Sequence, residues 1–207
     1  DDYKKLNYNL NVSHKIYDNL KVTFSNILTR GVRNNNTGLA FWRSPLIPVY
    51  DEEDNYYRTH TADYDHPLGV TDNRLNDKKE LNVLSLLDVE WKIIPSLTIN
   101  SRLNYRTASS VQDEYLPKLY SQKGEENSGQ AYIRNWQAQT LVSETFATYN
   151  KLFTDKHEVA VTAGYSYQND NSRWSDLGAV GFVNEILKNE NLATGDPELN
   201  IVGNGLQ

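Results

Sequence analysis

Apolar residues in this chain return at every second position, over runs longer than most globular strands. Leu6, Tyr8, Leu10 and Val12 are apolar, whereas Asn7, Asn9, Asn11 and Ser13 between them are polar. A helix would put Leu6 on the same face as Asn9 and Ser13. The pattern therefore predicts a strand with one apolar and one polar face. Leu20, Val22 and Phe24 alternate with Lys21, Thr23 and Ser25, and Leu87, Val89, Trp91 and Ile93 with Asp88, Glu90 and Lys92. Leu97, Ile99, Leu103 and Tyr105 share a face interrupted by Ser101, opposite Thr98, Asn100, Arg102, Asn104 and Arg106. Val159, Val161, Ala163, Tyr165 and Tyr167 form an unbroken apolar face. The stretch 137–150 is less regular, because Leu141, Ala147 and Tyr149 fall on one parity and Val142 and Phe146 on the other.

Six strands are expected, at about 3–14, 20–30, 81–93, 97–106, 137–150 and 157–168. At roughly 10–14 residues they exceed the usual globular strand and match what crosses a bilayer at a tilt. Their connections alternate strictly. Lys15–Asn19, Ile94–Ser96 and Lys151–Lys156 are short, whereas 31–80, 107–136 and 169–207 are long. In an up-and-down sheet all tight turns then lie at one end and all long loops at the other. Outer-membrane barrels have this asymmetry, with short periplasmic turns and long extracellular loops. Tyr8, Tyr17, Phe24, Trp91, Tyr105, Tyr149, Phe153, Tyr165 and Tyr167 suit the aromatic girdles of such a wall. Alternation by itself also fits a soluble antiparallel sandwich with its apolar face packed inward. Strand length and loop asymmetry favour an all-β, antiparallel, up-and-down transmembrane barrel segment.

Composition narrows the functional classes. No apolar run approaches 18 residues, so neither a transmembrane helix nor an intact signal peptide is expected. The chain has no Cys, hence no disulfide framework or thiolate metal site. It also has no Met, and is expected to begin downstream of a translated start. A net charge of −6 argues against a nucleic-acid partner. The 38% share of hydrophobic residues is modest, as expected if each strand needs only one apolar face and the long loops are wet.

Candidate ligand-binding residues concentrate in the expected loops: Trp42, Arg43, Tyr57, Tyr120, Trp136 and Trp174. Aromatic faces beside Asp, Asn and Arg suit sugars, because a ring covers the C–H face while polar groups take the hydroxyls. They suit peptides as well. On the polar strand face, Asn100, Arg102, Asn104 and Arg106, with Asp88, Glu90 and Lys92, point into the lumen if the sheet is a barrel wall. The segment His60–His66 carries two His and two Asp, but its spacing matches no dedicated metal motif, and no metal or cofactor is assigned. No nucleophile elbow, Walker sequence, zinc-protease motif or carboxylate pair points to an enzyme.

Several segments resemble the SusC/RagA-like branch of TonB-dependent outer-membrane transporters. They are Asp2–Ile16 with Asn19–Val22, the stretch Ser44–Asp51, and Thr148–Lys151 continuing through Lys156–Val159 to Ala163–Tyr165. The resemblance implies a barrel of about 22 strands closed around an N-terminal plug in the outer membrane of a Gram-negative cell. It implies import energised through a TonB complex that contacts the plug, and a SusD-like surface lipoprotein acting as a lid. The implied cargo is an oligosaccharide or a peptide, and no catalysis is involved. Neither plug nor TonB-contacting segment is visible in these 207 residues, which are expected to be an internal piece of the wall. The competing expectation is a soluble all-β carbohydrate-binding or adhesin module at the cell surface.

Overall fold

The structure, a computed structural model, describes residues 2–35, 44–58, 65–154 and 157–206. Seven strands form one sheet: β1 (Asp2–Tyr17), β2 (Leu20–Asn34), β3 (Leu75–Ile94), β4 (Leu97–Leu116), β5 (Gln130–Phe153), β6 (His157–Val180) and β7 (Ile201–Leu206). They lie side by side in chain order, and every neighbouring pair is antiparallel. The hairpins close at Asp18-Asn19, at Pro95-Ser96 and near Thr154. The three long connections all lie at the opposite end and contain the short helices α1 (Pro67–Asn73) and α2 (Gln122–Glu126).

The strands outrun the sequence expectation, and among the described residues there are seven of them instead of six. β4 continues to Leu116, β5 begins at Gln130 and β6 continues to Val180, all within stretches expected to be loop. Residues 201–206, also expected to be loop, pair with Arg173–Gly178. The upper part of β6 reads Asn-Asp-Asn-Ser-Arg-Trp-Ser-Asp over 169–176. Beyond the apolar band neither face of the strand is apolar, so the two-residue period disappears while the hydrogen-bond ladder continues. Gly181–Lys188, which has the makings of a helix, is irregular; a 3-10 segment follows over Lys188–Thr194.

Among the described residues no second layer covers either side of the strands, so the sandwich expectation is not met. Every residue of β1 and residues 157–171 of β6 are exposed, whereas strands with two neighbours are largely half-buried. Lateral pairing, not a facing sheet, supplies what burial there is. On the apolar face Leu6, Tyr8, Val12, Phe24, Trp91, Leu103, Val161 and Tyr165 remain substantially open. A continuous apolar surface of this extent fits a lipid contact. Four of its polar interruptions pair with one another: Asn26 Nδ2 donates to Ser85 Oγ at 2.8 Å, and the Ser101 and Thr145 hydroxyls meet at 2.9 Å. Such pairing is what hydrocarbon demands of a polar side chain.

The apolar band crosses the ladder obliquely. Leu6, the uppermost apolar residue of that face in β1, shares a row with Arg30, Leu81, Ser109, Gln137 and Arg173. In β6 the band stops at Tyr167, six residues below Arg173. Over five strand-to-strand steps the band therefore drifts about 1.2 residues per step, roughly 4 Å along the strand for each ~4.8 Å sideways. That slope corresponds to a strand tilt of about 40°, inside the range of outer-membrane barrels. Along this slope Tyr8, Tyr105 and Tyr167 mark one border of the band and Trp91 and Tyr149 the other, as two aromatic girdles do.

The obliquity is measurable with nitroxide labels placed singly in the whole protein reconstituted in lipid. Oxygen accessibility is expected to alternate along β4, high at 103 and 105 and low at 102 and 104. Its maximum is expected to descend from about 10 in β1 to about 163 in β6. A maximum that follows one hydrogen-bonded row would contradict a tilted wall.

Candidate functional site

The polar face carries a ladder of charges near the tight-turn end. Arg102 lies in one row with Thr23, Asp88, Glu144 and Ser166. Its Nε donates to Asp88 Oδ1 at 2.6 Å, and Glu144 approaches from the other neighbouring strand. The next row holds Lys21, Glu90, Asn100 and Phe146. The two rows frame a hollow of about 220 Å³, lined by Lys21, Asp88, Glu90, Asn100, Arg102 and Phe146 among others. Higher up, the Asn104 side-chain oxygen is enclosed and, among the described residues, has no hydrogen-bond partner. Its cross-strand neighbours Leu86 and Val142 offer none.

Above the band this same face changes character. Trp136 and Trp174 are direct cross-strand neighbours, followed by the pair Arg134 and Asp176 and then Tyr132 opposite Gly178. Glu114 joins β4 to its surroundings with both oxygens, one to Arg74 at 3.0 Å and the other to Arg134 at 3.3 Å. Its side chain is only 17% exposed, so among the described residues these are the better-shielded ion pairs.

The long connections fold onto one another as a crown, and nearly all the tightly buried apolar side chains are here. Tyr115, Ala131, Ala179 and Phe182 form a small core against Leu75 and Leu192. Tyr115 donates its hydroxyl to Glu185 Oε1 at 2.6 Å, and the Lys118 N–H donates to the same oxygen at 2.6 Å. Burial and then Glu185 push the Tyr115 phenol well above its usual range. In the 44–74 connection His66 is the N-cap of α1. Its Nδ1 accepts from the Gly69 N–H at 3.0 Å, and its Nε2 then donates to the Val49 carbonyl at 3.1 Å. The His66 ring packs with Tyr56 and Tyr120 at centroid distances of 5.0 and 6.1 Å. Arg58 to Glu125 at 2.7 Å and Gln122 N–H to Asp65 at 2.8 Å fasten this connection to α2.

The expected ligand residues therefore divide. Trp42 and Arg43 lie outside the described residues, as do His60 and Asp63. Trp136 and Trp174 are not on loops but on β5 and β6, paired on the polar face. Tyr57 and Tyr120 do lie in connections, and Tyr120 is occupied with crown packing, its ring 5.3 Å from that of Tyr56. Asn100, Arg102, Asn104 and Arg106 share one face of β4. Sequence reasoning missed Glu114, Glu185 and the capping role of His66. Each acts on partners that come from distant segments, so no local spacing announces them.

No family model matches the chain. A curated relative, the TonB-dependent receptor P39 of Formosa agariphila, is 26% identical over 195 residues, covering 86% of this chain and 18% of its own length. Solved structures of the RagAB peptide importer superpose on 99% of the chain. The closed-closed state does so with a TM-score of 0.77 at 14% identity, and the open-open state with 0.76 at 15%. The chain has the fold of a SusC/RagA-like barrel wall. It spans about a quarter of those importer chains, 24% in both states, and less of the curated receptor. The named relatives are a receptor and importers, not enzymes.

Two outcomes test the crown. Glu185→Ala leaves the Tyr115 hydroxyl and the Lys118 N–H without their shared acceptor, a loss of about 1–3 kcal/mol. Protease cleavage within 181–200 of the whole protein is expected to accelerate, with the wall intact. Tyr56 donates to Asp72, and this bond, with some burial, pushes the phenol up to about 12. The contact is complete below the ordinary phenol range near 10 and is lost as pH rises through about 12. The difference in ultraviolet absorbance between wild type and Tyr56→Phe is thus expected to titrate near 12.

Proposed function

We propose that the chain is part of the wall of a TonB-dependent outer-membrane importer of oligosaccharides or peptides. The observation that carries this reading is the oblique apolar band on a single-layer sheet, with a charged polar face behind it. In this reading the apolar face meets lipid. Asn100, Arg102, Asn104 and Arg106 face the lumen, where the Asp88–Arg102–Glu144 ladder lines the route or meets a plug. The crown stands outside the cell, and with Tyr57 and Tyr120 it helps to close over cargo and to seat a SusD-like lipoprotein lid. Strands from elsewhere in the same protein complete the open edges of β1 and lower β6, because unpaired backbone groups cannot face hydrocarbon. A TonB complex acts through a plug outside this segment. The name of the RagAB neighbours supports peptide cargo, and the aromatic residues of the polar face support sugars equally well.

The test uses the whole protein in its own cells. It is expected in the outer-membrane fraction, and cells are expected to take up fluorescently labelled oligosaccharides or peptides only while the inner membrane is energised. Disrupting the gene or adding a proton uncoupler should abolish uptake. Recovery of the protein in the soluble fraction, or uptake indifferent to the uncoupler, would contradict the reading.

A further inference from the structure

Three aromatic side chains on the polar face lie flat against the wall, each over a glycine of the neighbouring strand. The Tyr3 ring covers Gly31, where an added Cβ would meet it at 3.3 Å. Tyr132 covers Gly178, where the approach would be 2.6 Å. Trp174 lies across two glycines of β7: a Cβ on Gly203 would come within 3.1 Å of its ring, and one on Gly205 would collide with its indole nitrogen. A side chain at any of these positions would tip the ring off the sheet. A ring bedded in this way offers its other face to the lumen side.

For two of the three that face is taken. The Arg33 guanidinium stands 5.1 Å from the Tyr3 centroid, and the Arg134 guanidinium 4.9 Å from that of Tyr132. Among the described residues no cation covers Trp174, which is 38% exposed. Beside it on the same face stand Ser172 and Asp176, two residues away in either direction along β6, with Trp136 directly across. The Asp176 carboxylate has no hydrogen bond or ion pair among the described residues, although Arg134 is its cross-strand neighbour. Arg134 is spent on Glu114 and Tyr132.

We infer that Trp174 is a stacking platform for a pyranose ring of an uncharged glycan, with Asp176 accepting its hydroxyls. This rests on the importer reading and names its cargo. An indole face matches the C–H face of a sugar, and a carboxylate accepts two hydroxyl hydrogen bonds while repelling anionic cargo. A peptide has no equivalent disc of C–H groups with hydroxyls around its rim.

The experiment uses the full-length transporter purified in detergent. Calorimetry measures binding of hexasaccharides of β-1,4-glucose, α-1,4-glucose, β-1,3-glucose and β-1,4-mannose, and of a tryptic digest of casein. At least one hexasaccharide is expected to bind. Trp174→Ala should weaken it by about tenfold or more, Trp174→Phe by about threefold or less, and Asp176→Asn by an intermediate factor. Heat-modifiable migration on gels confirms that each variant is a folded barrel. Binding by none of the four hexasaccharides, or unchanged affinity in Trp174→Ala, overturns the platform. Energised uptake of casein peptides in the same protein would leave the importer reading standing while the glycan assignment falls.

Discussion

A backbone N–H or C=O placed in hydrocarbon must find a partner within the protein, and this requirement organises the rest of the molecule. Within the band every strand from β2 to β5 is paired on both sides, so its main chain is satisfied without water. The side chains need only respect two solvents. The band takes the even residues of β1 and β2 and, because the register between β2 and β3 pairs even positions with odd ones, the odd residues of β3 to β6. Four polar residues on that side, Asn26 with Ser85 and Ser101 with Thr145, follow the same rule by bonding across strands. A wall of this kind has no interior of its own. Its stability comes from ladders and from the medium on each side, which explains why most of the tightly buried apolar side chains sit beyond the band.

The crown obeys ordinary globular physics. Tyr115 and Phe182 pack edge to face at 5.8 Å, Glu185 collects two donors, and His66 caps a helix while packing among tyrosines. These contacts join segments far apart in the chain: Tyr115 and Glu185 are 70 residues apart. The strands set the distance between them. β4, β5 and β6 project above the band as stalks, and their upper ends deliver Tyr115, Ala131 and Ala179 to one place. Wall and crown are thus coupled by strand length, and the polar face continues without a break from the Arg102 ladder to the Trp136–Trp174 pair.

How much of this was legible in the sequence depends on how many solvents a segment touches. Val159–Tyr167 faces lipid on one side and a polar space on the other, so its period of two is unambiguous. The 137–150 stretch blurred because Val142 and Phe146 belong to the polar face, where Val142 and Leu86 flank Asn104 from either side and Phe146 lines the hollow. Residues 169–176 met no such constraint and read as loop, which is how Trp174 was assigned to one. The seventh strand, Ile-Val-Gly-Asn-Gly-Leu, was hidden by the two glycines that bed the Trp174 ring. The crown's acceptors, Glu114 and Glu185, had no local signature at all. Strand order and turn placement followed from alternation and connection length, whereas the residues most relevant to binding required the register.

A lipid-facing wall requires the two open edges to be paired in the complete protein. Amide hydrogen exchange of the whole protein in lipid nanodiscs addresses this directly. Amides across β1 and across 157–172 of β6 are expected to exchange as slowly as those of β3 and β4. Rapid exchange along both edges, with the interior strands protected, would contradict it.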